Sequence, residues 1–223
     1  MTRLLSCTVG FVLLLLLLTA LAGPGFSGQG QQNLDQTVRD FLDRHRGQWR
    51  DMNISESAGR YMYDLIIEKN YKQALEIGTS TGHSGIWIAW ALSKTGGKLI
   101  TVEIDEDRYK EALANFGEAG LSAYIDARLA DAHELVPALA GPFDFVFCDA
   151  DKDWYKSYFI AVLPKLVVGG CFAAHNVSER QRGQRWGTGD FLDYLESLKS
   201  METTFAPGNR IDMSVSYKKA DKS

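Results

Sequence analysis

The sequence predicts an α/β domain built on a doubly wound, mostly parallel sheet that ends in an antiparallel hairpin. Three observations carry this. From residue 71 onward, strand-like and helix-like segments alternate through five β-then-α units. The strand-like runs, such as FDFVFCD at 143–149 and VVGGCFAAH at 167–175, are apolar almost throughout, as in strands covered on both faces. The last two strand-like runs are joined by a short link through Gly208 and Asn209, which suits a hairpin.

The elements follow in order. Residues 23–33 are rich in Gly and Gln and read as a flexible leader ahead of a domain over 34–223. Leu34 to Gly47 reads as a short helix that the glycine stops. Ile54, Ala58, Met62, Leu65 and Ile66 share one face of a second helix, with Ser55 as its candidate N-cap. A strand over 71–78, a helix over 84–94 and a strand over 96–104 come next. An amphipathic helix over 105–120, a strand over 122–130 and a short helix over 131–140 lead to the strand at 143–149. A helix over 153–166, the strand at 167–175 and a helix over 189–200 precede the closing strands at 201–207 and 211–219.

With 223 residues, the chain suits one domain with a sizeable core. A formal charge of -4 argues against a nucleic-acid partner. The N-terminus is a separate matter. Arg3, the apolar run Phe11 to Ala22 and the sequence Ala20-Leu21-Ala22 fit a signal peptide over 1–22. An uncleaved membrane anchor is the alternative, though the run is short for a span. Either way the domain is expected on the far side of the membrane, exported or anchored. An exported domain would have to meet any cytoplasmic cofactor outside. Cys148 and Cys171 lie in apolar strands and read as buried, with a bridge between neighbouring strands as the other option.

Chemistry-bearing residues collect at strand C-termini: Gly78, Glu103, Asp131, Asp149, and His175 with Asn176. Doubly wound sheets bind ligands at that edge, near the point where strand order reverses. Gly78, Gly82 and Gly85 sit between a strand and a helix, where backbone can approach a ligand or simply turn tightly. Their spacing is not the G-x-G-x-x-G of dinucleotide binders, which argues against an NAD-type oxidoreductase. Glu103 can accept from both hydroxyls of a ribose, or be a solvated strand-end acid. Asp131 can bond an adenine amino group, cap the next helix, or do both.

The segments LEIGTSTGHS, TVEID, ARLADAHELVPAL, FDFVFCDADKDWY and GGCFAAHNV, in this order and spacing, resemble class I S-adenosylmethionine-dependent O-methyltransferases of the catechol and caffeoyl-CoA type. MNISESAGRYMYDLI resembles the helix before their first strand, and the likeness covers about residues 50 to 217. The resemblance implies a Rossmann-like, seven-stranded sheet and methyl transfer to a hydroxyl of a small acceptor. For the cofactor it implies Glu103 on the ribose, Gly78 and Ser84 near the methionine part, and Asp131 and Ala132 near adenine. Glu76 and Asp149 complete the implied cofactor set. It also implies a divalent cation on Asp149, Lys152 as the catalytic lysine, and a homodimer.

One strand end departs from the family. Where those enzymes read Asp-Asn after the fifth strand, this chain reads His175-Asn176. A metal set of Asp149, His175 and Asn176 would suit a transition metal better than Mg²⁺, which prefers oxygen. The alternatives are a weakened Mg²⁺ or Ca²⁺ site, or no metal and His175 as general base. Loss of methyl transfer with the cofactor site retained is a further reading. Arg180, Arg182 and Arg185 with Trp186 form either a solvated basic loop or a cover that holds an acidic substrate. Trp154 and Tyr155 read as a substrate wall or as the apolar face of the next helix.

Overall fold

Along each central strand, side chains alternate between two buried layers. Ala74 faces one core while Leu75 and Ile77 face the other; Phe145 and Phe147 face the first, Val146 and Cys148 the second. A strand buried on both faces cannot show the polar alternation of a surface strand, which is why these runs are apolar almost throughout. The computed structural model describes residues 28–49, 52–184, 188–207 and 211–220. Segment 1–22, the Gly208–Asn209 link, and Arg185 with Trp186 lie outside the described residues. No described helix is long and apolar enough to cross a membrane.

The strands are β1 (Gln73–Ile77), β2 (Lys98–Glu103), β3 (Ile125–Leu129), β4 (Phe143–Cys148), β5 (Leu166–His175), β6 (Met201–Phe205) and β7 (Met213–Lys218). They form one seven-stranded sheet in the order β3-β2-β1-β4-β5-β7-β6. The first five pair in parallel, and β7 runs antiparallel to both β5 and β6. The doubly wound sheet with its C-terminal hairpin is therefore present. Helices α1 (Gly28–Arg44), α2 (Glu56–Lys69), α3 (His83–Thr95) and α4 (Glu106–Glu118) contribute to one core. Helices α5 (Ala132–Ala138), α6 (Tyr155–Val162) and α7 (Thr188–Ser197) contribute to the other.

Boundaries differ from expectation at α1 and around α6. The leader expected over 23–33 is helical from Gly28 onward. Glutamine is a good helix former, and Gln31 is tied down by a 3.2 Å bond from Nε2 to Ser93 Oγ on α3. The helix expected over 153–166 is α6 between two 3-10 turns, the second containing Pro164. Proline supplies no N–H and ends the regular ladder there. Asp131 caps α5, accepting from His133 N at 2.8 Å. Cys148 and Cys171 are both buried and free, and Cys171 pairs with Phe145 rather than with Cys148.

Helices α2 and α3 meet at Gly59. A Cβ there would lie 2.2 Å from Trp87 Cδ1. In an open helix, Gly→Ala stabilises by about 1 kcal/mol. Here the overpacking term, about 1–3 kcal/mol, acts against that gain, because the contact is with a bulky ring held by its bond to His83. Gly59→Ala should therefore lower unfolding stability in urea by about 1–2 kcal/mol. A stabilised variant would mean that the two helices are free to separate.

Candidate active site

Pairing sets the centre of the site. Cys148 on β4 is opposite Ala174 on β5, so the next residues, Asp149 and His175, emerge side by side. Ile77 on β1 is opposite Cys148, which brings Gly78 to the same edge. The chain runs outward from β1 through β2 to β3 and then returns to β4 on the other side of β1. That reversal is the crevice where doubly wound sheets take ligands.

The glycine loop is explained mainly by packing. Gly78 has φ 97, and a Cβ on it would lie 2.5 Å from the Asp149 carbonyl oxygen. Gly82 also has positive φ, and Phe116 of α4 fills the space beside it. Between them Ser80 holds φ 48, an unusual conformation for a residue with a side chain. Its N–H donates to Glu103 Oε2 at 2.7 Å, which offsets that strain.

Glu103 is a pinned acceptor. Besides Ser80, it accepts at Oε1 from the N–H groups of Ile104 and Asp105, both at 3.0 Å. Glu76 is fully buried at the end of β1. Its Oε2 accepts from Thr101 Oγ1 at 2.5 Å, and Ser84 also bonds the carboxyl. Its Oε1 is buried with no hydrogen-bond partner among the described residues. Burial pushes this carboxyl up to about 7, with the two hydroxyl bonds partly opposing. Beyond β3, the His133 ring lies 3.9 Å from that of Trp154, directly after Asp131 and Ala132. Trp154 thus stands beside the residues expected to hold adenine, not as a wall on its own.

At the reaction edge, Asp149 joins the expected catalytic residues. Lys152 Nζ donates to its Oδ1 at 2.6 Å. His175 Nδ1 lies 2.9 Å from its Oδ2. An ionised carboxylate only accepts, so the Nδ1 proton faces Asp149 and Nε2 carries the free lone pair. Burial alone would raise the Asp149 carboxyl. Hydrogen bonding and electrostatic attraction from His175, together with those from Lys152, hold it below the ordinary value. Lys152 also donates to the Tyr155 hydroxyl at 2.7 Å, and that hydroxyl donates to the His175 carbonyl at 3.1 Å. Tyr155 is fully buried, and burial raises its phenol so that it stays protonated. Asn176 follows in the left-handed region at φ 57, its N–H bonded to Asp212 O at 2.6 Å.

A family model described as O-methyltransferase matches residues 26–216. The chain belongs to this O-methyltransferase family. It is 38% identical over 130 residues to a catechol O-methyltransferase of Niastella koreensis, covering 56% of this chain and 58% of that protein. It is 32% identical over 144 residues to caffeoyl-CoA O-methyltransferase 1 of Eucalyptus globulus, covering 62% and 57%. The matches thus span less than two thirds of these relatives. The fold superimposes with a TM-score of 0.71 on an O-methyltransferase from Bacillus cereus in complex with SAH, at 24% identity over 83% of this chain and 91% of that one.

The strand-end residues of this family member fit S-adenosylmethionine. Glu76 Oε1 is an unmatched buried acceptor, and Glu103 offers a carboxylate already ordered by backbone N–H groups. Asp131 and Ala132 open a helix against an aromatic stack. The expected cation fares differently. Mg²⁺ and Ca²⁺ take six or more oxygen ligands and bind through net negative charge. The centre offers a single carboxylate, both of whose oxygens are engaged, with an ammonium on one. His175 has only Nε2 left for a transition metal. Among the described residues no group of three or more His, Cys, Asp or Glu side chains is arranged for a metal ion. With one carboxylate, one imidazole and one amide, the expected set is poorer in oxygen ligands than Mg²⁺ and Ca²⁺ prefer.

Sequence reasoning missed Tyr155 as the residue that ties Lys152 to the β5 end. Its place three residues after Lys152 was the available signal. It also missed Thr101, whose hydroxyl reaches Glu76 because β1 and β2 pair Glu76 with Thr101.

The raised Glu76 carboxyl makes stability depend on pH. Its folded value, about 7, exceeds the ordinary 4.5, so the unfolded chain loses this proton first as pH rises. The contribution is whole below about 4.5, falls between there and 7, and is lowest above. Between pH 4.5 and 7.5, the cofactor-free protein should lose on the order of 3 kcal/mol relative to its Glu76→Gln variant in urea unfolding. Parallel pH curves would show the carboxyl to be ionised throughout.

Proposed function

We propose that this chain transfers the methyl group of S-adenosylmethionine to a hydroxyl of a small, catechol-like acceptor without a divalent cation. The observation that carries the reading is the His175–Asp149 pair at the strand-end crevice. It has the form of a carboxylate-oriented general base: Asp149 selects the tautomer, and His175 presents Nε2.

When bound, S-adenosylmethionine supplies an electrophilic methyl on a sulfonium for in-line displacement. The protein's part is to position the acceptor oxygen and take its proton. His175 Nε2 accepts that proton as the oxygen forms its new bond to carbon. Asp149 then stabilises the imidazolium. Lys152 is committed as a donor to Asp149 and Tyr155, so in this arrangement it steadies the carboxylate and adds positive charge rather than acting as base. Glu103 would hold the ribose, Glu76, Gly78 and Ser84 the methionine end, and Asp131 with Ala132 the adenine. The named activities of the relatives support a catechol-like acceptor, and the chemistry above requires only a hydroxyl.

Two measurements test the reading. Methyl transfer to catechol should survive chelation by EDTA and gain nothing from added Mg²⁺. His175→Ala should lower kcat by about 10²–10⁴-fold while calorimetric affinity for S-adenosylmethionine stays within about threefold. Turnover that needs a cation would overturn the metal-free assignment. Full activity in His175→Ala would remove the histidine as base.

A further inference from the structure

A cavity of about 370 Å³ opens between α1, the segment that follows it, and α2, with α3 as its floor. None of its lining residues belongs to the strand ends described above. Trp87 and Trp90 are one turn apart on α3, with rings 5.6 Å apart, and both are buried. Trp49 stacks on His83 at 4.3 Å with an interplanar angle of 14°. His83 is neutral at ordinary pH. Its Nδ1 donates to Ile54 O, its Nε2 accepts from Trp87, and burial pushes it down to about 4. The inner walls are therefore flat, aromatic and uncharged.

The mouth is cationic. Arg60 lies over the Trp87 ring at 5.3 Å, and Arg39 over the Trp90 ring at 5.8 Å. Of the three lining arginines, Arg46 is matched by Asp43 at 2.7 Å and Glu56 at 3.7 Å. Among the described residues neither Arg39 nor Arg60 has a carboxylate within salt-bridge distance. Asp35, which senses the charge of Arg39, is already bonded to Trp90 Nε1 and Lys94. A guanidinium placed over an indole is held in position for a two-point hold on a carboxylate.

The geometry points to a second small-molecule site in this cavity, taking a planar aromatic carboxylate: rings against the aromatic lining, carboxylate at Arg39 and Arg60. The volume suits such a ligand. The inference is independent of methyl transfer, and its test needs no turnover.

Titration calorimetry with 2-naphthoate, in the presence of saturating S-adenosylhomocysteine, should show saturable binding. Neutral 2-naphthamide, of the same shape, should bind at least about tenfold more weakly, since it forgoes the charged contact. Arg39→Gln and Arg60→Gln, both at exposed positions, should each weaken naphthoate by about three- to thirtyfold, with melting temperature and S-adenosylhomocysteine affinity unchanged. Equal affinity for the neutral amide would overturn the proposal, as would an Arg39→Gln/Arg60→Gln double variant that binds naphthoate normally. Naphthoate binding that appears only without S-adenosylhomocysteine would place the probe in the reaction crevice and equally overturn it.

Discussion

The register of β4 against β1 and β5 is the constraint on which the rest of the molecule depends. It sets which residues end level with one another at the crevice: Gly78 beside Asp149, and Asp149 beside His175. The backbone reinforces it, since Asp149 N donates to Ile77 O at 2.9 Å. A slip of one residue would exchange the two faces of a strand. It would also carry Val146 and Cys148 out of one core and Phe145 and Phe147 out of the other. The apolar packing that stabilises the sheet therefore also aligns the groups proposed to react. No separate device is needed to bring distant parts of the chain together.

Asp149 is where that alignment becomes chemistry. Its backbone is in the sheet edge and against Gly78, while its two carboxylate oxygens meet Lys152 and His175. Largely buried ion pairs contribute little net stability, because desolvation offsets their attraction. Losing one partner, by contrast, leaves an uncompensated charge. Such a cluster makes poor sense as a structural cement and good sense as a site. Tyr155 extends the same logic: fully buried, it spends its hydroxyl on Lys152 and on the His175 carbonyl, holding the β4 and β5 ends at a fixed separation.

The alternation of elements, the hairpin and the strand-end clustering were legible because each rests on local pattern. Runs such as FDFVFC are apolar on both faces only in a covered sheet, and positions such as Asp149 and His175 are where such runs stop. The start of α1 was not legible, because its Gly/Gln composition suits a leader and a tertiary contact from Gln31 decides otherwise. Nor was the state of Glu76. Its sequence neighbours say nothing of Thr101, which reaches it across the β1–β2 pairing. The glycine loop was ambiguous between ligand approach and tight packing, and the neighbours of Gly78 and Gly82 account for both by packing. The cavity at α3 was beyond reach for another reason. Its tryptophans and arginines come from three helices and a connecting segment, and no spacing rule joins them.

In the proposed mechanism, imidazole at the strand end where the resemblance leads one to expect a carboxylate reorganises the charge at the reaction centre. In a cation-dependent site, the metal offsets the negative charge that grows on the acceptor oxygen. In the proposed mechanism, Asp149 and Lys152 begin as a neutral pair with a neutral His175 beside them. Once the acceptor proton moves to Nε2, the cluster carries one net positive charge, next to an oxygen that has become more negative. The stabilising charge thus appears together with the charge it must stabilise. Because Asp149 and His175 are only slightly exposed, with side chains 12% and 16% accessible, that interaction is screened far less than it would be in open solvent. The imidazole therefore offers both of the cation's contributions, a lower cost of deprotonation and a positive neighbour, without a metal ligand set.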